Sequence, residues 1–152
     1  MSAAGSNPSG GSSSASGGNA FTFECLLRDQ GNDVDHVQAV VAEALEKHGY
    51  NDKSRWAIRL ALEEAIVNGF RHGNKSDPSK AVHFGCRIGD AESLFDVRDE
   101  GPGFDPDTVP DPTEDENIEI PSGRGIMLIK AYMTDVFYFK PGNHLRMIYR
   151  KS

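Results

Sequence analysis

The chain contains 152 residues, which is enough for one folded domain with a single hydrophobic core. Its formal net charge is −7 and it has no basic cluster, so it is a poor candidate for direct nucleic-acid binding. No apolar run reaches transmembrane length, and neither Cys25 nor Cys86 comes with an export signal. We therefore predict a cytoplasmic protein that does not enter a membrane and keeps both cysteines as buried free thiols.

The first twenty residues are mostly Ser, Gly and Ala and include no charged side chain. Such a segment buries too little apolar surface to offset the entropy lost on ordering, so we predict a disordered tail over 1–20. The tail also lacks the apolar and basic regions of a secretory signal. The folded domain is therefore predicted to span 21–152.

The first half of this domain predicts one strand and two helices. Alternating apolar side chains over 21–27 indicate a strand. One helix is predicted to run from a cap at Asp33 to about His48, and the next from a cap at Asp52 to His72. A glycine directly follows each helix, as is common at helix ends.

The second half predicts four strands and one helix, and these elements are 82–88, 94–99, 124–133 (the helix), 136–140 and 145–150. A loop over 106–122 holds four prolines and six acidic residues without Lys or Arg. Hairpin-joined strands with separate helices favour an α+β fold. We expect a two-layer sandwich whose mixed, mostly antiparallel sheet carries its helices on one face.

The second helix is apolar around most of its circumference but carries one polar stripe. Its members, at i, i+4, i+7 and i+8, are Glu64, Asn68, Arg71 and His72. A buried carboxylate and amide need partners, and a hydrated Mg²⁺ with phosphate oxygens is one such partner. The alternative is a solvated helix edge with a Glu64–Arg71 association. Glu63 points about 100° away from this stripe and is predicted to be a surface or capping carboxylate.

Two glycine motifs lie downstream of this helix. In Asp99-Glu100-Gly101-Pro102-Gly103, the carboxylate can accept a hydrogen bond from an exocyclic amine while the glycines let the backbone approach a ligand. Gly123-Arg124-Gly125 opens the third helix, where free N–H groups and the helix dipole favour an anion. The alternatives are an ordinary turn at the first motif and a Ser122 cap with flexible glycines at the second.

Together these motifs resemble those of the GHKL ATP-binding superfamily, which includes histidine-kinase catalytic domains and type II topoisomerase ATPase domains. Glu64-x-x-x-Asn68 is similar to its N box, Asp99-x-Gly101-x-Gly103 to its G1 box, and Gly123-Arg124-Gly125 to its G2 box. The strings over 62–74 and 122–129 most resemble the branch of bacterial anti-sigma-factor serine-protein kinases. The resemblance covers about 21–150 and implies a histidine-kinase-like, Bergerat-type ATP-binding fold.

The resemblance also implies a role for each site residue. Asn68 would coordinate the Mg²⁺ of bound ATP, Asp99 would bind the adenine amino group, and Glu64 would be the general base. Gly101 and Gly103 would line the base and ribose, and Gly123 and Gly125 would hold the phosphates. Arg71, His72 and Arg124 are further phosphate-side candidates. The loop over 106–122 would be the ATP lid, although its acidic side chains should repel a triphosphate unless they face outward or engage a partner.

The function that the resemblance implies is that of an anti-sigma-type switch kinase. With Mg-ATP bound, it would hold a sigma factor or phosphorylate a serine on a STAS-type anti-anti-sigma protein. The alternative is a non-catalytic module in which ATP orders the lid and so gates a protein partner. A purely structural α+β domain would leave the three motifs unexplained. The resemblance is also compatible with a homodimer.

Overall fold

The computed structural model describes residues 20–102, 123–139 and 143–151 of the chain. The predicted tail lies outside these residues except for Ala20, and the predicted lid over 106–122 lies outside them entirely. Within the three ranges, no helix combines the length and apolar composition that crossing a bilayer requires.

Five strands form one sheet in the order β1-β2-β3-β5-β4. In chain order the strands are β1 (Phe21–Leu27), β2 (Val82–Ile88), β3 (Glu92–Arg98), β4 (Asp135–Phe139) and β5 (His144–Arg150). Each pairing between neighbours in this sheet is antiparallel. The prediction of a mostly antiparallel sheet in an α+β fold is therefore confirmed.

The two faces of the sheet have different environments because side chains alternate along each strand. Phe95 and Met147 face each other across β3 and β5 and are fully buried. Their neighbours Asp96 and Arg146 lie on the opposite face, where Arg146 Nε donates to Asp96 Oδ1 at 2.8 Å. The buried face packs against α1 (Asn32–Lys47), α2 (Asp52–Asn68) and α3 (Gly123–Tyr132), which completes the two layers.

The starts of the first two helices differ from the prediction. Asn51, not Asp52, caps α2, because its side chain accepts a hydrogen bond from the Ser54 N–H at 2.8 Å. Asp33 lies inside α1, where its carboxylate accepts the N–H groups of residues 28 and 29 at 2.8 and 3.0 Å. The predictions that Asp33 and Asp52 cap these helices were therefore wrong, although the presence of both helices was correctly predicted.

The end of α2 differs in a way that shapes the site. After Asn68 the helix widens into a π-helical turn over Gly69–Gly73, and the Asn74 N–H donates to the Gly69 carbonyl at 2.8 Å. A π turn contains more residues than an α turn and is frequent at functional sites. It carries the chain to the end of β3, where Gly73 meets Asp99.

Candidate functional site

One end of the site lies where the last turns of α2 meet the first turn of α3. Glu64 and Asn68 both point at Gly125: a Cβ placed on that glycine would lie 2.6 Å from Glu64 Oε2 and 3.1 Å from Asn68 Nδ2. Any side chain at residue 125 would therefore fill the space between the carboxylate and the amide. The first turn of a helix also carries N–H groups without partners inside that helix, which suits an anion.

The other end is built around Asp99, the residue directly after β3. Its Oδ1 accepts the Gly101 N–H at 2.8 Å, and its Oδ2 lies so close to Gly73 that a Cβ there would come within 2.1 Å. Burial raises the pKa of Asp99 above its ordinary value, although the backbone N–H groups of Gly101 and of Asp99 itself act in the opposite direction. The loop thus binds Oδ1 of this carboxylate, and Oδ2 packs against Gly73.

Close backbone packing joins this loop to the π turn. A Cβ on Gly101 would lie 1.8 Å from the Gly73 carbonyl oxygen, which leaves no room for any other residue at this position. The glycines at 73 and 101 therefore allow close packing, Gly73 against the Asp99 carboxylate and Gly101 against the backbone of Gly73. Gly103, the last residue of the predicted G1 motif, lies outside the described residues.

Two asparagines that the sequence analysis did not single out hold the Asp99 loop. Asn74 is buried; its Nδ2 donates to the Ala81 carbonyl at 3.0 Å and its Oδ1 accepts the Glu100 N–H at 2.7 Å. Asn143 donates to the Asp99 carbonyl at 3.1 Å, and the Asp99 N–H donates to the Asn143 carbonyl at 2.9 Å. The position of Asn74 directly after a helix-ending glycine was the one available signal, and it does not reveal burial.

The remaining predicted residues lie in the π turn and at the start of α3. Arg71 is exposed and His72 half-buried, and both lie in the π turn, so they no longer follow the α-helical spacing that aligns Glu64 with Asn68. Gly123 and Arg124 are the first two residues of α3. The exposed position of Glu63 agrees with the prediction that it points away from the stripe.

Tyr138 of β4 also belongs to the surroundings of Glu64. Burial raises the pKa of its phenol, and the charge of Glu64 raises it further. The phenol therefore stays protonated at neutral pH. No motif indicated this neighbour, because it comes from a strand far along the chain.

The donor set around Asn68 fits a metal that takes most of its ligands from elsewhere. Within the described ranges, no three side chains of His, Cys, Asp or Glu gather at a point that could hold a metal ion. Mg²⁺ keeps several waters and binds through few protein oxygens plus substrate phosphates. The Asn68 side-chain amide and the Glu64 carboxylate, which meet beside Gly125, supply oxygen atoms of the type that such a metal–phosphate group takes.

The fold and the geometry of these two ends are consistent with a nucleotide-binding domain, and comparison with known proteins agrees. The chain matches the family model of the histidine kinase-like ATPase domain over residues 20–149, and it belongs to this family. Family membership implies that the chain binds ATP. It also confirms the family resemblance that was inferred from the three motifs.

One curated protein with a similar sequence is an anti-sigma factor. An anti-sigma F factor of Oceanobacillus iheyensis is 32% identical over 81 residues, which make up 52% of this chain and 56% of the relative. The chain thus spans little more than half the length of the curated relative that it matches. This similarity agrees with the branch that the sequence motifs most resemble.

Proposed function

We propose that this chain is an anti-sigma-type regulator that binds ATP and acts as a protein-serine kinase on a STAS-type anti-anti-sigma protein, thereby controlling a sigma factor. The observation that carries the proposal is the convergence of Glu64 and Asn68 on Gly125, with the Asp99 carboxylate at the other end of the site. The name of the Oceanobacillus relative supports the anti-sigma part. A cytoplasmic location and a homodimer stay predictions.

At the base end, the ionised Asp99 would recognise adenine. Oδ1 is already occupied by the Gly101 N–H, so Oδ2 would accept the hydrogen bond from the exocyclic amine. A guanine or hypoxanthine base presents an oxygen there, which a carboxylate would repel. This arrangement therefore favours ATP over nucleotides with a 6-oxo base. Gly101 and Gly103 would allow the loop to approach the base and ribose.

At the phosphate end, Asn68 would contribute its carbonyl oxygen to a Mg²⁺ ion, which would neutralise charge on the phosphates. Glu64 would accept the proton of the target serine as the serine oxygen bonds to the γ-phosphorus and the bond to the bridging oxygen of the leaving ADP breaks. Gly123, Gly125 and Arg124 would hold the phosphates at the start of α3. Arg71 and His72 would approach them from the π turn.

The test has two stages on the full chain. Calorimetric titration of Mg-ATP into the wild type and Asn68→Ala examines the metal-dependent site, and we expect clear weakening in the variant. Mass spectrometry then looks for phosphoserine on STAS-domain proteins encoded in the same genome after incubation with Mg-ATP. Glu64→Gln should bind ATP and transfer nothing, whereas Glu63→Gln, which changes the exposed neighbouring carboxylate, should behave as the wild type.

The outcomes separate the two candidate functions. Full transfer by Glu64→Gln would remove the general-base role from this residue. ATP binding without phosphoserine on any of these proteins would assign the chain to the alternative, a non-catalytic module in which ATP gates a protein contact. An absence of ATP binding by the wild type would refute the nucleotide function itself.

A further inference from the structure

The peptide unit between Asp99 and Glu100 is held on both of its polar edges by asparagine side chains. Its carbonyl oxygen accepts from Asn143 Nδ2 at 3.1 Å, and its N–H donates to Asn74 Oδ1 at 2.7 Å. A peptide unit is planar, so bonds to both edges fix the orientation of the whole plane. Rotation of this plane would break both bonds at once.

The Asn74 side chain is itself firmly placed. It is 1% exposed, and its remaining polar atom, Nδ2, donates to the Ala81 carbonyl at 3.0 Å just before β2. Its backbone N–H closes the π turn on Gly69, and Lys75 and Ser76 then adopt left-handed φ values of 53° and 59°. Such conformations are uncommon for residues other than glycine and persist where the surrounding structure imposes them.

The second asparagine approaches from a different part of the chain. Asn143 directly precedes β5, and its backbone carbonyl accepts the Asp99 N–H at 2.9 Å. The same side chain also donates to the Gly101 carbonyl at 3.4 Å. The backbone that carries the Asp99 carboxylate is therefore fixed from the α2 side by Asn74 and from the β5 side by Asn143.

We propose that Asn74 and Asn143 form a peptide clamp that presets the Asp99 carboxylate and thereby determines selectivity for adenine. The clamp acts through the 99–100 peptide, so both asparagines are positioning residues. The proposal rests on the proposed ATP-binding function and deepens it. A carboxylate that is already in position loses less conformational freedom when its ligand binds. A misplaced carboxylate cannot bond to the exocyclic amine, so it no longer favours adenine over a base with a 6-oxo group.

The test compares binding of ATP and ITP by calorimetry, since ITP carries a 6-oxo group in place of the amine. The variants are Asn74→Ala, Asn143→Ala and Asn74→Asp, the last of which keeps the acceptor for the Glu100 N–H. Gln38→Leu is the matched control, because Gln38 is also a buried amide (3% exposed) that donates to a backbone carbonyl. Its Nε2 bonds to the Arg59 carbonyl and so links α1 to α2. Amide hydrogen exchange at Glu100 is measured on the same proteins without nucleotide.

We expect Asn74→Ala and Asn143→Ala to lose about tenfold in ATP affinity and to bring the ATP preference over ITP close to unity. Asn74→Asp, which loses the donor to the Ala81 carbonyl but keeps the acceptor for the Glu100 N–H, should keep more of the preference than Asn74→Ala, and Gln38→Leu should keep all of it even where its stability falls. Glu100 exchange should accelerate in Asn74→Ala and stay slow in Gln38→Leu. These four results together would support the clamp.

Other outcomes overturn it. Folded alanine variants that retain wild-type preference would show that the asparagines stabilise the loop without setting selectivity. Loss of preference in Gln38→Leu as well would assign the effect to global stability. If the wild type binds neither nucleotide, the ATP function fails and the selectivity role fails with it, and unchanged exchange at Glu100 in Asn74→Ala would separately refute the clamp on the peptide.

Discussion

The two ends of the site are built by different means. At the base end, Asp99 is held through backbone groups: the Glu100 N–H donates to Asn74, the Asp99 carbonyl accepts from Asn143, and Gly101 packs directly on the Gly73 carbonyl. At the phosphate end, the flexible side chain of Glu64 meets Gly125 across a helix contact. The first arrangement suits recognition of one base, which needs a fixed acceptor, and the second suits groups that must adjust to phosphate and metal.

The largest difference between the two ends should appear on replacing their glycines by alanine. Gly101→Ala places a Cβ 1.8 Å from a backbone oxygen, whereas Gly125→Ala places one 2.6 Å from the end of a side chain. We expect Gly101→Ala to lower the free energy of unfolding by about 3 kcal/mol and Gly125→Ala to change it by less than about 1 kcal/mol. Urea denaturation of both variants measures this.

Gly101→Ala and Gly125→Ala also distinguish an effect on stability from an effect on nucleotide binding. Gly125→Ala should still weaken Mg-ATP binding at least about tenfold, because the new methyl group would lie 3.1 Å from Asn68 Nδ2 and crowd the side chain proposed to hold the metal. Equal destabilisation by both substitutions would mean that the phosphate end is as rigid as the base end. The contrast drawn between them would then be wrong.

The next largest effect concerns the carboxylate itself. Asp99→Asn keeps an acceptor for the Gly101 N–H but turns a donor toward the adenine amine, so ATP affinity should fall by about 10-fold to 100-fold. Stability should not fall, since burial already disfavours the charge of this group. Calorimetry and urea denaturation on one preparation give both values. Unchanged ATP affinity would falsify the adenine role.

Much of this architecture could be predicted from local patterns. The strands were predictable because alternation between residues such as Phe95 and Asp96 reports directly which face is buried. The first residues of the helices were harder to predict. Asn51 and Asp52 are adjacent and both residue types are favoured as helix N-caps, so spacing alone could not choose between them. Residue type and spacing indicate Glu64 and Asp99 as candidates, and the roles predicted for them follow from the family resemblance.

The rest depends on contacts between distant parts of the chain. The peptide clamp brings Asn74 and Asn143 to one peptide, and neither residue belongs to the N, G1 or G2 box. The π turn was not predicted because regular α-helical spacing was extended as far as His72. Its extra residue alters where Arg71 and His72 point, so their assignment to the Glu64 stripe could not be decided from the sequence.

A smaller effect should come from pH, and it should act in opposite directions on binding and stability. The folded pKa of Asp99 is raised, so its contribution to stability is present below the ordinary aspartate pKa and is lost as pH rises through the folded value. Adenine binding needs the ionised form and should weaken as pH falls through the same value.

Titrations of ATP and urea between about pH 4 and pH 7 measure both trends. Asp99→Asn is the control, because it removes the titrating group. The part of the pH dependence that Asp99 contributes to ATP affinity and to stability should therefore disappear in this variant. Parallel rather than opposite changes in the wild type would show that another group dominates this pH range.

The smallest effect should come from the exposed side of the same loop. The Glu100 carboxylate bonds to His83 Nε2 at 2.9 Å, with side chains 40% and 35% exposed, and this bond lowers the pKa of Glu100. Exposed pairs of this kind contribute little, so Glu100→Gln should change ATP affinity by less than about twofold. The Glu100 N–H, held by buried Asn74, remains in this variant. A loss as large as that of Asp99→Asn would mean that the loop is positioned from the open face of the sheet, and the base end would then depend on surface charge instead of buried hydrogen bonds.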